Sequence, residues 1–206
     1  MASKKLLPPF KLILGSSSMA RRRILEDMGY DFSIVTADID EKAIRKDKPE
    51  ELVTTLAEAK ADAIVSGLDS THFTKGDAQP TLLITADTVV LYRGVVREKP
   101  SSKEEAREFI KGYSGSHAAA IGSVFVMNLS TGTRRVAWDS TEVYFHEIPT
   151  DIIDNLIDEA ITLKVAGGLM LEHPLVLPFV KEVVGSFDTC MGLSKSLTER
   201  LIQEVL

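Results

Sequence analysis

One cysteine, Cys190, stands in 206 residues. No internal disulfide can form, so nothing ties the fold to an oxidising compartment, and a reducing, cytoplasmic setting is expected. No apolar run reaches the roughly 18–20 residues of a membrane helix, so no membrane association is expected. The opening stretch Met1-Ala-Ser-Lys-Lys-Leu-Leu-Pro-Pro9 is too short in apolar residues for a secretory signal and is interrupted by two prolines. Residues 1–10 are expected to be flexible. With 13 glycines and 8 prolines, collagen-like and low-complexity readings are excluded. Aromatic residues make up 6%, and no stacking motif accompanies the basic residues, which argues against a nucleic-acid partner. His72, His117, His146 and His173 lack ligand spacing, and His146-Glu147 has no second histidine at the interval of a zinc helix. No Gly-x-x-x-x-Gly-Lys-Ser/Thr loop occurs.

What remains is an ordinary globular balance, 44% hydrophobic and 26% charged, in a length that suits one domain with a sizeable core. The net charge is −6, yet the first 25 residues hold Lys4, Lys5, Lys11, Arg21, Arg22 and Arg23 with no carboxylate. A local basic site on an acidic protein suits a small anion better than a long polyanion, although a solvated basic face gives the same composition.

Lys11 to Leu14 reads as a buried strand ending at Gly15, followed by a serine turn and a helix from Met19 to Met28 capped by Ser18 and stopped at Gly29. Phe32 to Thr36 reads as a second strand. Pro49 to Val65 is a helix with proline at its start, Glu50 and Glu51 in its first turn, and Leu52, Leu56, Ala59 and Ala63 at helical spacing. After a polar loop over Ser66 to Pro80, Leu82 to Ala86 reads as a buried strand closing on Asp87. Val89–Tyr92 and Val95-Val96 flank Arg93-Gly94 as a hairpin. A capping box at Ser101–Glu104, or one position away, opens a helix to about Lys111. Ala118–Leu129 and Thr133–Phe145 are long strands, Thr150 caps a helix through Ala160, and Ser196 opens a final helix. The order predicts an α/β fold, a mixed sheet with helices on its faces, in one domain across 1–206 with a parting line near Ser101–Gly115 and no linker.

Arg21 to Arg23 fall in the first turn of a helix, where the macrodipole makes each cation cost roughly 0.3–1 kcal/mol. They make sense there if an anion is held by free backbone N–H groups, hydroxyls and an arginine fork. The alternative is that they point to solvent and are screened by salt. Asp87, read as the end of a buried strand, would line the crevice of an α/β sheet. Lys99 follows twelve residues later, and Asp38, Asp40 and Glu41 follow the second strand. Carboxylates without a His/Cys cluster imply a hard cation such as Mg²⁺ or Mn²⁺, if any metal. Anion pocket, carboxylates and lysines together form a toolkit for phosphate chemistry, though each carboxylate taken singly is an ordinary surface group.

The ordered set Leu14-Gly-Ser-Ser-Ser-Met-Ala-Arg-Arg-Arg-Ile-Leu25, Asp40-Glu41, Leu56-Ala-Glu-Ala-Lys60, Thr85-Ala-Asp-Thr-Val-Val90, Glu98-Lys-Pro100, Ser114-Gly-Ser-His117, Ala166-Gly167 and Gly192-Leu193 closely resembles the Maf family of nucleotide pyrophosphatases. The match runs from about Leu12 to the C-terminus. The resemblance implies an elongated mixed sheet in two lobes with a cleft between them, and commonly a homodimer. It implies hydrolysis of a nucleoside triphosphate between the α and β phosphates, with a divalent metal, Mg²⁺ or Mn²⁺. Residue by residue, it implies that Ser16 and Arg21 bind phosphate, that Glu41 is linked to the metal, and that Lys60 and Lys99 are cleft lysines. Asp87 matches the proton acceptor and metal ligand.

Three features depart from the family pattern or divide between its branches. Met19 and Ala20 replace the Pro-Arg of the usual Ser-Pro-Arg-Arg opening. Leu163-Lys-Val-Ala-Gly167 stands for Asp-Lys-Ala-Gly, with Val165 where lysine is common. Glu172 falls where one branch has Gln and the branch acting on 7-methyl-GTP has Glu, while Thr88 agrees with the dTTP/UTP branch and Ala20 departs from it. The specificity positions Ala20, Thr88 and Glu172 thus point both ways. A carboxylate at 172 could accept hydrogen bonds from a guanine edge or attract a cationic methylated base, or could face solvent. The departures also permit a different class of protein, a nucleotide-binding regulator of cell division without significant catalysis. The retained Glu41, Asp87 and Lys99 argue against it.

Overall fold

The computed structural model describes residues 10–68, 79–159 and 161–206. Lys4, Lys5, His72, the middle of the 66–80 loop and Ala160 lie outside the described residues. In chain order the elements are β1 (Lys11–Leu14), α1 (Met19–Asp27), β2 (Ser33–Ile34), α2 (Pro49–Gly67), β3 (Thr81–Tyr92), β4 (Val95–Arg97), α3 (Lys103–Tyr113), β5 (His117–Asn128), β6 (Arg134–Phe145), α4 (Thr150–Asp158), β7 (Val180–Val184), α5 (Phe187–Met191) and α6 (Lys195–Val205). The described strands form one mixed sheet in the order β2-β1-β3-β5-β6-β7, with β4 hairpinned onto β3. β1 runs parallel to β2 and β3; the β3–β5, β5–β6 and β6–β7 pairs are antiparallel.

The expected strand over 82–86 is too short by half. β3 runs through Asp87 and on to Tyr92, so Asp87 sits in mid-strand opposite Ser123 of β5, not at a strand end. What ends is the neighbouring strand. β1 pairs with β3 only from Lys11↔Thr81 to Leu14↔Ile84, and β4 pairs only from Val90↔Arg97 onward. Between Ile84 and Val90 one edge of β3 therefore lacks a strand partner, and the chain leaving β1 turns away there into the serine loop.

The pleat sorts the side chains of β3. Leu83 and Val89 pack under α2 with Ala57, Ala61, Ile64, Leu52, Val53 and Leu56. Thr85 and Ser123 fasten that helix to the sheet by donating hydroxyl hydrogen bonds to Ala57 O (2.6 Å) and Val53 O (2.7 Å). Asp87 shares this alternation and so lies beneath α2. On the opposite face Leu82, Ile84 and Ala86 pack with α1 and α6 at one end. Tyr92, Ala118, Val143 and Phe145 pack with α3 and α4 at the other. A cavity is walled in part by the second of these clusters, through Tyr113, Ala118, Val143 and Phe145.

Helix ends differ slightly from expectation. Ser18 caps α1, its hydroxyl accepting from Arg21 N. The box at α3 is shifted by one: Ser102 accepts from Glu105 N, and the Glu105 carboxylate turns back to Ser101 N and Oγ. Pro149, not Thr150, precedes α4. α6 begins at Lys195 because Ser194, two residues before the expected Ser196, accepts from Leu197 N. β2 has two residues where five were expected, and β7 and α5 had no counterpart in the sequence reading.

Candidate active site

The cavity has a volume of about 1000 Å³ and is lined by Asp87, Thr88 and Val89 in the stretch of β3 that β1 and β4 leave unpaired. Its walls include the nine residues that the family resemblance assigns to binding, catalysis or specificity, Ser16, Ala20, Arg21, Glu41, Lys60, Asp87, Thr88, Lys99 and Glu172, and also Asp40, but not Asp38. The loop entering the first helix and the aspartate of the central strand therefore face the same space.

At one end the serine loop is locked by Arg21. Its Nη1 donates to Ala86 O at 2.9 Å, through the unpaired edge of β3, and to Ser16 Oγ at 3.3 Å. Its Nε donates to Gly192 O at 2.8 Å, and Nη2 reaches Thr88 Oγ1 at 3.4 Å. Burial pulls the Arg21 pKa down against the opposing charges of Asp87 and Glu41, and an arginine keeps its charge regardless. Ser16 Oγ also accepts from Ser18 N at 3.2 Å. With two bonds accepted, its own hydroxyl proton is the group left to offer a ligand.

The basic run does not act as a unit. Arg23 joins the cavity wall, whereas Arg22 does not line it and buries an Nε that makes no hydrogen bond.

Beneath α2, the Lys60 ammonium bridges two carboxylates, 2.5 Å from Asp87 Oδ1 and 3.0 Å from Glu41 Oε1. Glu41 arrives on a single 3₁₀ turn, Glu41–Ala43, capped by Asp40 accepting from Lys42 N at 3.1 Å. The two carboxylates are pushed in opposite directions. Burial raises the Asp87 pKa, with Lys60 and Arg21 opposing. Burial also lifts Glu41, but Lys60, Lys99 and Arg21 together outweigh it and hold its pKa below the usual range. The two carboxylates thus answer differently to their surroundings although they share one ammonium.

These donors suit a hard divalent cation. Among the described residues no grouping of three or more His, Cys, Asp or Glu could hold a metal alone. Two carboxylates, with phosphate oxygens and water completing the shell, are the usual Mg²⁺ complement.

The far end of the cavity is mostly apolar, with Val143, Phe145, Leu169 and Met170 on its walls, and Glu172 is half-buried there. The Cys190 thiol in the same wall is pushed up to about 12, by burial first, with Asp188 and Glu172 adding negative potential. This end is fixed from behind. Tyr113 donates to Gly167 O at 3.0 Å, and Gly167 N donates to Glu98 O at 2.9 Å, next to Lys99. Gly167 holds φ +67°, and a Cβ there would lie 2.5 Å from Val90 Cγ2, so glycine is required. The carbonyls of Ala86 and Gly192 and the Tyr113 hydroxyl escaped the sequence reading. Gly192 stands in the Gly192-Leu193 motif of the family set, which is its one signal in the sequence.

A family model described as Maf-like protein matches residues 11–205. A protein of Dictyostelium discoideum named 7-methyl-GTP pyrophosphatase is 37% identical over 94% of this chain and 96% of its own. A dTTP/UTP pyrophosphatase of Thermotoga maritima is 32% identical over 94% of this chain and 89% of its own. A nucleoside triphosphate pyrophosphatase of Chlamydia muridarum is 33% identical over 94% and 93%.

Proposed function

The chain belongs to the Maf-like protein family, and from that footing we propose that it hydrolyses nucleoside triphosphates to a monophosphate and pyrophosphate. The observation that carries this reading is the convergence of the Ser16–Arg21 loop and the Glu41–Lys60–Asp87 cluster on one cavity. A triphosphate tail laid across it meets the Ser16 hydroxyl and backbone N–H groups of the α1 start at one side and Lys60 and Lys99 at the other. Asp87 takes a proton from a water whose oxygen attacks the α-phosphorus. The bond from that phosphorus to the α–β bridging oxygen breaks, and its electrons leave with pyrophosphate. Its raised pKa makes Asp87 a better proton acceptor than an exposed aspartate, and the lysines offset the charge of the leaving group. Glu41 and Asp87 would hold the divalent cation, Mg²⁺ or Mn²⁺, which supplies neutralisation of phosphate charge when bound.

We assign the base to the apolar end beside Glu172, with 7-methyl-GTP preferred over dTTP and UTP. The carboxylate and the negative potential around Cys190 favour a cationic base, and the 37%-identical relative carries that substrate in its name. The single thiol fits a cytoplasmic protein acting on free nucleotides, without a nucleic-acid partner. A homodimer is the assembly to look for by sedimentation.

The decisive experiment incubates the protein with 7-methyl-GTP, GTP, dTTP and UTP in Mg²⁺ or Mn²⁺ and separates the products. Monophosphate and pyrophosphate are expected. Diphosphate and orthophosphate, or tight binding with no product from any nucleotide, would refute the reading, the latter in favour of a regulator.

A further inference from the structure

Resting on the pyrophosphatase reading, we propose that Lys60 occupies the place of the divalent cation in the free protein, so that metal enters only with a polyphosphate that draws Lys60 away. Its ammonium lies 2.5 Å from Asp87 Oδ1 and 3.0 Å from Glu41 Oε1, between the two carboxylates that would take the metal. The Lys60 and Asp87 side chains are only 12% and 9% exposed, so water does little to screen the carboxylate if Lys60 leaves.

Of the two other cations that act on Glu41, Lys99 and Arg21, the buried one cannot play this part. Arg21 is tethered to Gly192 O, Ala86 O, Ser16 Oγ and Thr88 Oγ1, a planar fork fixed on neutral acceptors. Lys60 is a point charge on a flexible four-carbon stem, and its ammonium donates to Asp87 and is reinforced by the ion pair to Glu41. A divalent ion entering alone would face an ammonium already seated on its ligands and would find two carboxylates at most. A nucleotide tail changes both conditions, because its oxygens give Lys60 a new anionic partner and give the metal its missing ligands. Lys60 is thus a positioning residue in the free protein and a phosphate ligand in the complex. The metal–nucleotide complex, not the free ion, is what the site accepts.

The test reads metal binding, not turnover. Mn²⁺ binding to the full chain is followed by the electron paramagnetic resonance of the free ion, with and without a non-hydrolysable α,β-methylene triphosphate. Wild type is expected to bind free Mn²⁺ weakly and to gain affinity when the nucleotide is present. Lys60→Met removes the competing charge at similar volume and is expected to bind free Mn²⁺ roughly tenfold tighter, with a smaller gain from nucleotide, whereas Lys60→Arg stays weak. If Lys60→Met binds free Mn²⁺ no better than wild type while remaining folded by circular dichroism, the proposal is overturned, whereas the pyrophosphatase reading, judged on wild-type products, is untouched. If that variant does not fold, wild type alone decides: equal Mn²⁺ affinity with and without nucleotide overturns the exchange. Should tripolyphosphate promote Mn²⁺ binding while no nucleotide is cleaved, the exchange holds and the pyrophosphatase reading fails.

Discussion

Arg21 Nε donates to Gly192 O at 2.8 Å, joining the first helix of the chain to the residue that ends α5, 171 positions later. The same guanidinium holds Ala86 O on the central strand, so one side chain fixes the serine loop against two distant parts of the fold. Arg21→Lys keeps the charge but can satisfy only one of these acceptors at a time. We expect a loss of about 2–3 kcal/mol of stability in urea unfolding, from carbonyls left without a donor. We also expect kcat/KM to fall roughly a hundredfold as Ser16 loses its support. Wild-type kinetics in the lysine variant would show that the fork is dispensable.

The spacing at Gly15 sets a second expectation. A Cβ there would lie 2.5 Å from Thr85 Cγ2 and 2.6 Å from Ile64 Cδ1, where β1 passes beneath the end of α2. Gly15→Ala forces the strand exit away from the sheet and weakens the 2.7 Å bond from Gly15 N to Ile84 O. Overpacking of this kind costs about 1–3 kcal/mol. Thermal unfolding should report it, with a rise in KM because the displaced residue is followed immediately by Ser16.

Asp87 and Glu41 make opposite contributions to stability against pH. The Asp87 pKa is raised, by burial first, so its contribution is fully present below the ordinary aspartate value and is lost as pH rises through the raised one. For Glu41 burial pulls upward but Lys60, Lys99 and Arg21 prevail. Its stabilisation is present above the ordinary glutamate value and is lost as pH falls through the lowered one. Asp87→Asn removes the first effect and leaves the second. In metal-free buffer its melting temperature at pH 7 should not fall below that of wild type, and the decline of stability above the aspartate range should disappear, while turnover is abolished. A variant that unfolds well below wild type, or that retains full activity, contradicts the role given to Asp87.

Much of this site was legible because local chemistry and tertiary use agree. Ser18 caps a helix in the structure as its position before Met19 suggests, and Lys60 follows Leu56 by one helical turn, so the apolar stripe that seats α2 also seats the lysine. In the sequence Asp87 reads as a strand end because a charged residue followed by Thr88 looks like a break between two apolar runs. The strand continues through it because β5 supplies an unbroken ladder, and Lys60 compensates the buried charge. β7 and α5 were missed for a different reason. Val180–Val184 is short and largely exposed, and Phe187–Met191 is little more than one helical turn, so neither has a period to detect. Glu172 lies in an irregular segment, and only the family resemblance pointed to it.

Glu172 is where the choice of base can be tested with least disturbance of the chemistry. It is half-buried on the cavity wall, near enough to Cys190 to add to the negative potential there, and distant in function from the phosphate end. Glu172→Gln keeps shape and hydrogen-bonding capacity and removes the charge. A cationic 7-methylguanine loses an attraction that a neutral thymine or uracil never had. The ratio of kcat/KM for 7-methyl-GTP over dTTP should therefore fall by roughly tenfold, an ion-pair effect at intermediate dielectric, with kcat for dTTP unchanged. The shift should shrink at high salt, because the site opens to solvent and part of the attraction is screened. An equal loss on both nucleotides would mean that Glu172 supports the wall of the cavity without reading the base, and discrimination would then have to come from Ala20 and Thr88 at the Arg21 end.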